Sequence, residues 1–131
     1  MAPRILVVED DAALRAVVCR ALLDAGYAVR EAANGEKALH TLRESPFDLV
    51  VTDIIMPDTD GLEIILWLRR FAPGTPIVAV SGYADPLFLD NAAGLGACRT
   101  LSKPFRLEEL LRIVAELLSC SPLPAQGRTG P

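Results

Sequence analysis

Ile5-Leu6-Val7-Val8 runs straight into Glu9-Asp10-Asp11, and this junction decides the fold. Four consecutive apolar residues without alternation read as a strand buried on both faces, which belongs in a parallel sheet. Three acids then end it abruptly. Beyond them the apolar residues Leu14, Val17, Val18, Ala21 and Leu22 recur at the spacing of one helical face. Gly26 is placed to close that helix as its C′ residue.

The same alternation repeats along the chain. A brief strand is expected over residues 27–30, and Asn34-Gly35 opens a second helix through Ala38, Leu39 and Leu42. Ser45-Pro46 breaks that helix. Leu49-Val50-Val51 forms a second fully apolar strand ending at Thr52-Asp53, and Gly61 precedes a third helix through Ile64, Ile65 and Leu68. A strand over 77–80 ends at Ser81-Gly82, residues 86–95 are expected to be helical, and a weak strand over 99–101 ends at Ser102-Lys103-Pro104. The last helix starts near Arg106, with Leu107, Leu110, Leu111, Val114, Leu117 and Leu118 on one side. Five strand–helix units imply an α/β fold, a five-stranded parallel sheet covered by helices on both faces. The domain spans 1–118, and residues 119–131, with three prolines and two glycines, read as a flexible tail too short for an effector domain.

Composition narrows the function. A chain of 131 residues fits one domain, and 51% hydrophobic with 23% charged residues excludes disorder. Thirteen Lys and Arg against seventeen Asp and Glu give a net charge of −4, which argues against direct nucleic-acid binding over a broad surface. The longest uncharged stretch, residues 71–84, is broken by Pro73, Gly74, Pro76 and Gly82. It falls short of the about 20 apolar residues that membrane insertion needs. The run from Ile5 to Val8 is too short for a signal-peptide core. Cys19, Cys98 and Cys120 are an odd number at unrelated spacings, and His40 is the single histidine, which argues against both a disulfide framework and a zinc knuckle. A cytoplasmic location is expected.

Right-handed crossovers bring every strand's C-terminal end to one edge, where open α/β sheets bind ligands. That edge would carry Glu9, Asp10, Asp11, Asp53, Ser81 and Lys103. If the first and third strands are neighbours, about 5 Å apart, their terminal acids converge. Carboxylates that close repel, and one must hold a proton unless a cation neutralises them. Magnesium, a hard divalent ion that keeps several waters, suits so few oxygen ligands. Lys103 and Ser81 add a cation and a hydroxyl donor suited to phosphate. The set points to phosphoryl transfer with the Asp53 carboxylate as nucleophile. Any one of these acids has a plainer explanation as a turn residue, and Asp11 is expected to be a helix N-cap. Recurrence at four strand ends is what favours chemistry. His40 is expected to face solvent and Trp67 to pack within the third helix.

Four motifs occur in order: Val7-Val8-Glu9-Asp10-Asp11; Asp53-Ile54-Ile55-Met56-Pro57 with Asp60-Gly61-Leu62-Glu63; Val80-Ser81-Gly82; and Lys103-Pro104-Phe105. Together they resemble the receiver domain of two-component response regulators, over about residues 4–118. The resemblance implies a flavodoxin-like sheet of order 2-1-3-4-5 with five helices, the doubly wound order that chemotaxis receivers exemplify. It implies that Asp53 accepts a phosphoryl group from a histidine kinase or phosphotransfer protein. Asp10, Asp53 and the backbone carbonyl of Ile55 would ligate Mg2+, with Glu9 acting at the metal through a water. Lys103 would pair with a phosphoryl oxygen across a cis bond to Pro104, and Ser81 would be the switch hydroxyl. A downstream protein partner would read the face built from helix 86–95, the fifth strand and the last helix. Catalysis would then be self-modification of Asp53 rather than turnover of a free metabolite.

Two positions depart from the family pattern. Thr100 stands where most members carry Tyr or Phe, and a threonine cannot make a ring's inward swing, so the switch at Ser81 and Thr100 is altered. Cys98-Arg99 replaces the acidic pair common in the winged-helix branch. Ile55 and Tyr83, two residues past the acceptor and the switch hydroxyl, match positions that tune dephosphorylation. A β-branched chain and a ring there are expected to hinder the attacking water and lengthen the phosphorylated lifetime. Two other readings compete: a receiver-fold interaction module that signals without phosphorylation, and a metabolite phosphatase. The second lacks an acid where Ile55 stands.

Overall fold

Each expected strand is present in the computed structural model, which describes residues 2–54, 56, 61–82 and 99–119. In chain order the elements are β1 (Arg4–Val8), α1 (Ala12–Asp24), β2 (Ala28–Ala32), α2 (Gly35–Glu44), β3 (Leu49–Asp53), α3 (Gly61–Phe71), β4 (Ile77–Ser81), β5 (Arg99–Ser102) and α4 (Leu107–Ser119). The helix expected over 86–95 lies outside the described residues, so α4 is the last helix of the chain order above. All strand pairs are parallel and the sheet order is β2-β1-β3-β4-β5, the order the family resemblance implies.

Strand alternation divides the core. Leu6, Val8, Val50 and Ala79 face α2 and α3, meeting Ala38, Leu42, Ile64 and Leu68. Ile5, Val7, Val51 and Val80 face α1 and α4, meeting Val18, Leu22, Leu110 and Val114. Ile5, Leu6, Leu22, Leu49, Ile64 and Leu110 are fully buried, and each such side chain contributes about 1.5–3 kcal/mol. Both faces of the central strands are thereby locked, which fixes the level at which they end. In register, Val8 lies beside Thr52, Asp53 beside Val80, and Ser81 beside Ser102.

Four local details differ from the sequence reading. The apolar spacing puts Val17 on the buried face of α1, but it is 49% exposed; the buried residues are Val18, Cys19 and Leu22. The true face is centred between residues 18 and 22, and Val17 lies well round from it. The strand expected from 27 starts at Ala28, because the Tyr27 N–H is spent closing α1 on the Leu22 carbonyl at 3.2 Å. Gly26, at φ 100°, makes that closure possible, as its position after the apolar run suggests. β2 is not apolar on both faces: it is an edge strand, and among its residues only Ala32 is buried. Ser119, placed in the tail, is the last residue of α4, its Oγ donating to the Ala115 carbonyl at 2.7 Å.

The expected caps are in place. Asp11 Oδ1 accepts from the N–H groups of Ala13 and Leu14, and Asn34 Oδ1 from that of Lys37. His40 is exposed, and Trp67 packs against the α2–α3 side of the core. Among the described residues no helix is long and apolar enough to cross a membrane.

Candidate functional site

Three neighbouring strands end in the acids and hydroxyl singled out above, and the fourth delivers a lysine. Glu9 and Asp10 follow β1, Asp53 closes β3, Ser81 closes β4 and Lys103 follows β5. Glu9, Asp10 and Asp53 each offer a carboxylate oxygen, all within 4.8 Å of one another. Glu9 and Asp53 are 5% and 3% exposed, while Asp10 faces solvent. The Lys103 ammonium joins the two buried acids, with Nζ 2.7 Å from Glu9 Oε1 and 2.9 Å from Asp53 Oδ2. Its main-chain N–H donates to the Ser81 carbonyl at 2.8 Å, and its bond to Pro104 is cis.

Burial dominates the electrostatics. It pushes Glu9 up to about 7, against the hydrogen bonds from Lys103 and the Asp11 N–H, and the Asp53 charge adds to the rise. Burial alone would lower Lys103, but the hydrogen bonds to Glu9 and Asp53 outweigh it and hold the amine above the ordinary lysine range. Lys103 is therefore a fixed cation, while Glu9 is a buried acid under pressure to be neutralised. An all-oxygen donor set with that unmet demand for positive charge fits a hard divalent ion.

Ser81 is fully buried at the end of β4. Thr100 is half-buried and pairs with Ala79 in register. Leu101 belongs to the α1–α4 core, so alternation puts Thr100 on the other face of the sheet. Ile55 and Tyr83 lie outside the described residues.

Two residues shape this edge in ways that residue type and spacing do not announce: Gly61, which the spacing places only as the start of a helix, and Arg15. Gly61 starts α3 directly against the end of β3, its N–H donating to the Ile54 carbonyl at 2.7 Å. An added Cβ there would run into Asp53 O and lie 2.7 Å from Ile54 Cα. Arg15 donates from Nη1 to the Glu9 carbonyl at 2.8 Å and from Nε to Glu31 Oε1 at 2.9 Å. The pattern of Arg15, Val18, Cys19 and Leu22 at i, i+3, i+4 and i+7 carried that signal, hidden because arginine is normally assigned to solvent.

A doubly wound sheet with paired acids, a hydroxyl and a lysine at its ligand-binding edge defines a phosphoryl-accepting signalling domain. The family profile of the response regulator receiver domain matches residues 5–115, and the chain belongs to that family. The response regulator receiver protein CpdR of Brucella abortus is 36% identical over 115 residues, covering 88% of this chain and 96% of CpdR. The sensor kinase CckA of the same organism is 40% identical over 116 residues, but the chain spans only 12% of that kinase. Among solved structures, a CheY-like receiver domain protein from Methanospirillum hungatei superposes with a TM-score of 0.87 at 30% identity, covering 91% of this chain and 95% of that one. The chemotaxis protein CheY4 of Vibrio cholerae gives 0.83 at 31% identity over 89% of this chain and 99% of its own. The chain is thus a receiver of two-component signalling.

Proposed function

We propose that Asp53 is the phosphoacceptor, taking its phosphoryl group from a phosphohistidine on a histidine kinase or phosphotransfer protein. The observation that carries this reading is the Lys103 ammonium held between Glu9 and Asp53 beside Asp10. The carboxylates of Asp10 and Asp53, with the backbone carbonyl of Ile55, would hold Mg2+, and Glu9 would act at the metal through a water. When bound, that ion supplies positive charge to offset the charge on the transferring group.

An Asp53 oxygen donates its electron pair to phosphorus as the phosphorus–nitrogen bond to the donor imidazole breaks. The imidazole nitrogen keeps that bond's electron pair and is then protonated. Lys103, already on the Asp53 carboxylate, pairs with a phosphoryl oxygen, and the Ser81 hydroxyl donates to another. Phosphorylation shifts a two-state equilibrium of the face that includes β5 and α4, which a downstream protein reads. Thr100 gives that shift less steric leverage than an aromatic ring. Ile55 and Tyr83, by their sequence positions, slow hydrolysis of the acyl phosphate, so Ile55→Asn should hasten it. The output is docking of a protein partner in the cytoplasm, without direct contact to nucleic acid.

The test is phosphotransfer from a panel of radiolabelled, autophosphorylated histidine kinases. Transfer from a subset of them, abolished by Asp53→Asn, is expected. Label that persists in Asp53→Asn would overturn the assignment.

A further inference from the structure

We infer that Arg15 is a positioning residue for the acidic site: its grip on the Glu9 carbonyl holds the Glu9–Asp10 turn in the arrangement that receives the divalent ion. This rests on the function proposed above. Three observations lead to it. Arg15 shares the buried face of α1 with Val18, Cys19 and Leu22, and its side chain is only 17% exposed. Its guanidinium meets two acceptors at once, Glu9 O at 2.8 Å and Glu31 Oε1 at 2.9 Å. The Glu9 N–H in turn donates to the Ala32 carbonyl at 3.1 Å.

Both backbone polar groups of Glu9 are therefore tied to the β2 side, one directly and one through Arg15 and Glu31. Glu9 Oε2 also accepts from the Asp11 N–H at 3.1 Å. The turn is pinned while its carboxylates repel those of Asp53. Asp10 is its exposed acid, and a rotation of the Glu9–Asp10 peptide would relieve the repulsion by swinging Asp10 outward. The arginine bond to the Glu9 carbonyl opposes that rotation. A planar guanidinium can serve two acceptors in fixed directions, which an ammonium cannot. An exposed Arg–Glu pair would contribute little, but here the second arm reaches main chain inside the site.

The sign of the effect separates positioning from charge. Deleting a cation near an acidic cluster should, by electrostatics alone, tighten binding of another cation. Loss of positioning should weaken it. Titration calorimetry with Mg2+ on wild type, Arg15→Ala and Arg15→Lys reads that sign directly. Arg15→Ala should bind roughly ten-fold more weakly, within the range typical for partners that orient metal ligands. Arg15→Lys, despite its charge, should also bind more weakly than wild type. Amide NMR spectra should show Asp10 and Asp11 perturbed while β4 and α4 keep wild-type shifts, and saturating Mg2+ should restore the phosphorylation rate. Unchanged or tighter binding in a folded Arg15→Ala overturns the inference and leaves the proposed function standing. If that variant does not fold, wild-type affinity in Arg15→Lys overturns it equally. A wild-type protein that binds no Mg2+ overturns the proposed function, and the inference with it.

Discussion

The main-chain oxygen of Asp53 fills the space that a Cβ on Gly61 would need, so α3 can begin against the end of β3 only with glycine at its first position. The chain leaves β3 at the site and returns to touch it within eight residues. Gly61 N–H to Ile54 O, at 2.7 Å, closes that return. The helix N-terminus and the acid are thereby placed by one contact.

Gly61→Ala forces backbone apart from backbone, and overpacking of that kind costs about 1–3 kcal/mol. Urea denaturation should show a loss of at least about 1 kcal/mol on that basis. Gly74→Ala is the control: nothing lies within 4 Å of its added Cβ, and a surface change of this kind should stay within about 0.5 kcal/mol.

Lys103→Ala removes the cation shared by two buried acids. Truncating one member of a buried pair costs about 3–5 kcal/mol, and Lys103, with 21% of its side chain exposed, should cost somewhat less, about 2 kcal/mol. Denaturation without divalent ions measures it. Millimolar Mg2+ should recover part of the loss; no recovery would count against a cation site at Glu9, Asp10 and Asp53.

Burial raises the Cys19 thiol to about 11, with the Glu31 charge adding and Arg15 opposing. The folded state thus favours the neutral thiol, and the stability this contributes is present below pH 9 and lost as pH rises through about 11. At pH 8 an alkylating reagent should leave Cys19, which is 6% exposed, unmodified until the protein unfolds. Peptide mass mapping of the fragment containing Cys19, with and without urea, checks this. Prompt modification under native conditions would contradict the burial.

Arg99 and Glu116 tie β5 to α4 at 2.9 Å, yet their side chains are 40% and 50% exposed. Exposed pairs are worth about 0–1 kcal/mol. Glu116→Ala should therefore shift the urea midpoint little, and a larger loss would mean that this edge is held by charge rather than by Leu101, Leu110 and Val114.

How much of this could be read from residues alone follows from what each signal depends on. Ile5 to Val8 and Leu49 to Val51 announced two-faced burial because hydrophobicity there does not alternate. Glu9, Asp10, Asp53 and Lys103 were found because the crossover rule sends every strand end to one edge, and the structure brings them together. Sheet order needed the family resemblance, since periodicity does not say which strands are neighbours. Val17 is hard to place by periodicity because apolar residues occur all round α1, and it is Cys19 rather than Val17 that turns inward. The role of Arg15 and the close packing of Gly61 escape the sequence for a shared reason. Their roles lie in bonds and clashes with the main chain of Glu9 and Asp53, which residue type does not encode.

The proposed role of Asp53 is tested most directly by intact mass spectrometry after incubation with acetyl phosphate and Mg2+, followed by peptide mapping. A gain of one phosphoryl group located on Asp53, dependent on the metal and absent in Asp53→Asn, is the expected result. A chain that takes up no phosphoryl group, or an Asp53→Asn variant that takes it up as readily as wild type, would contradict it.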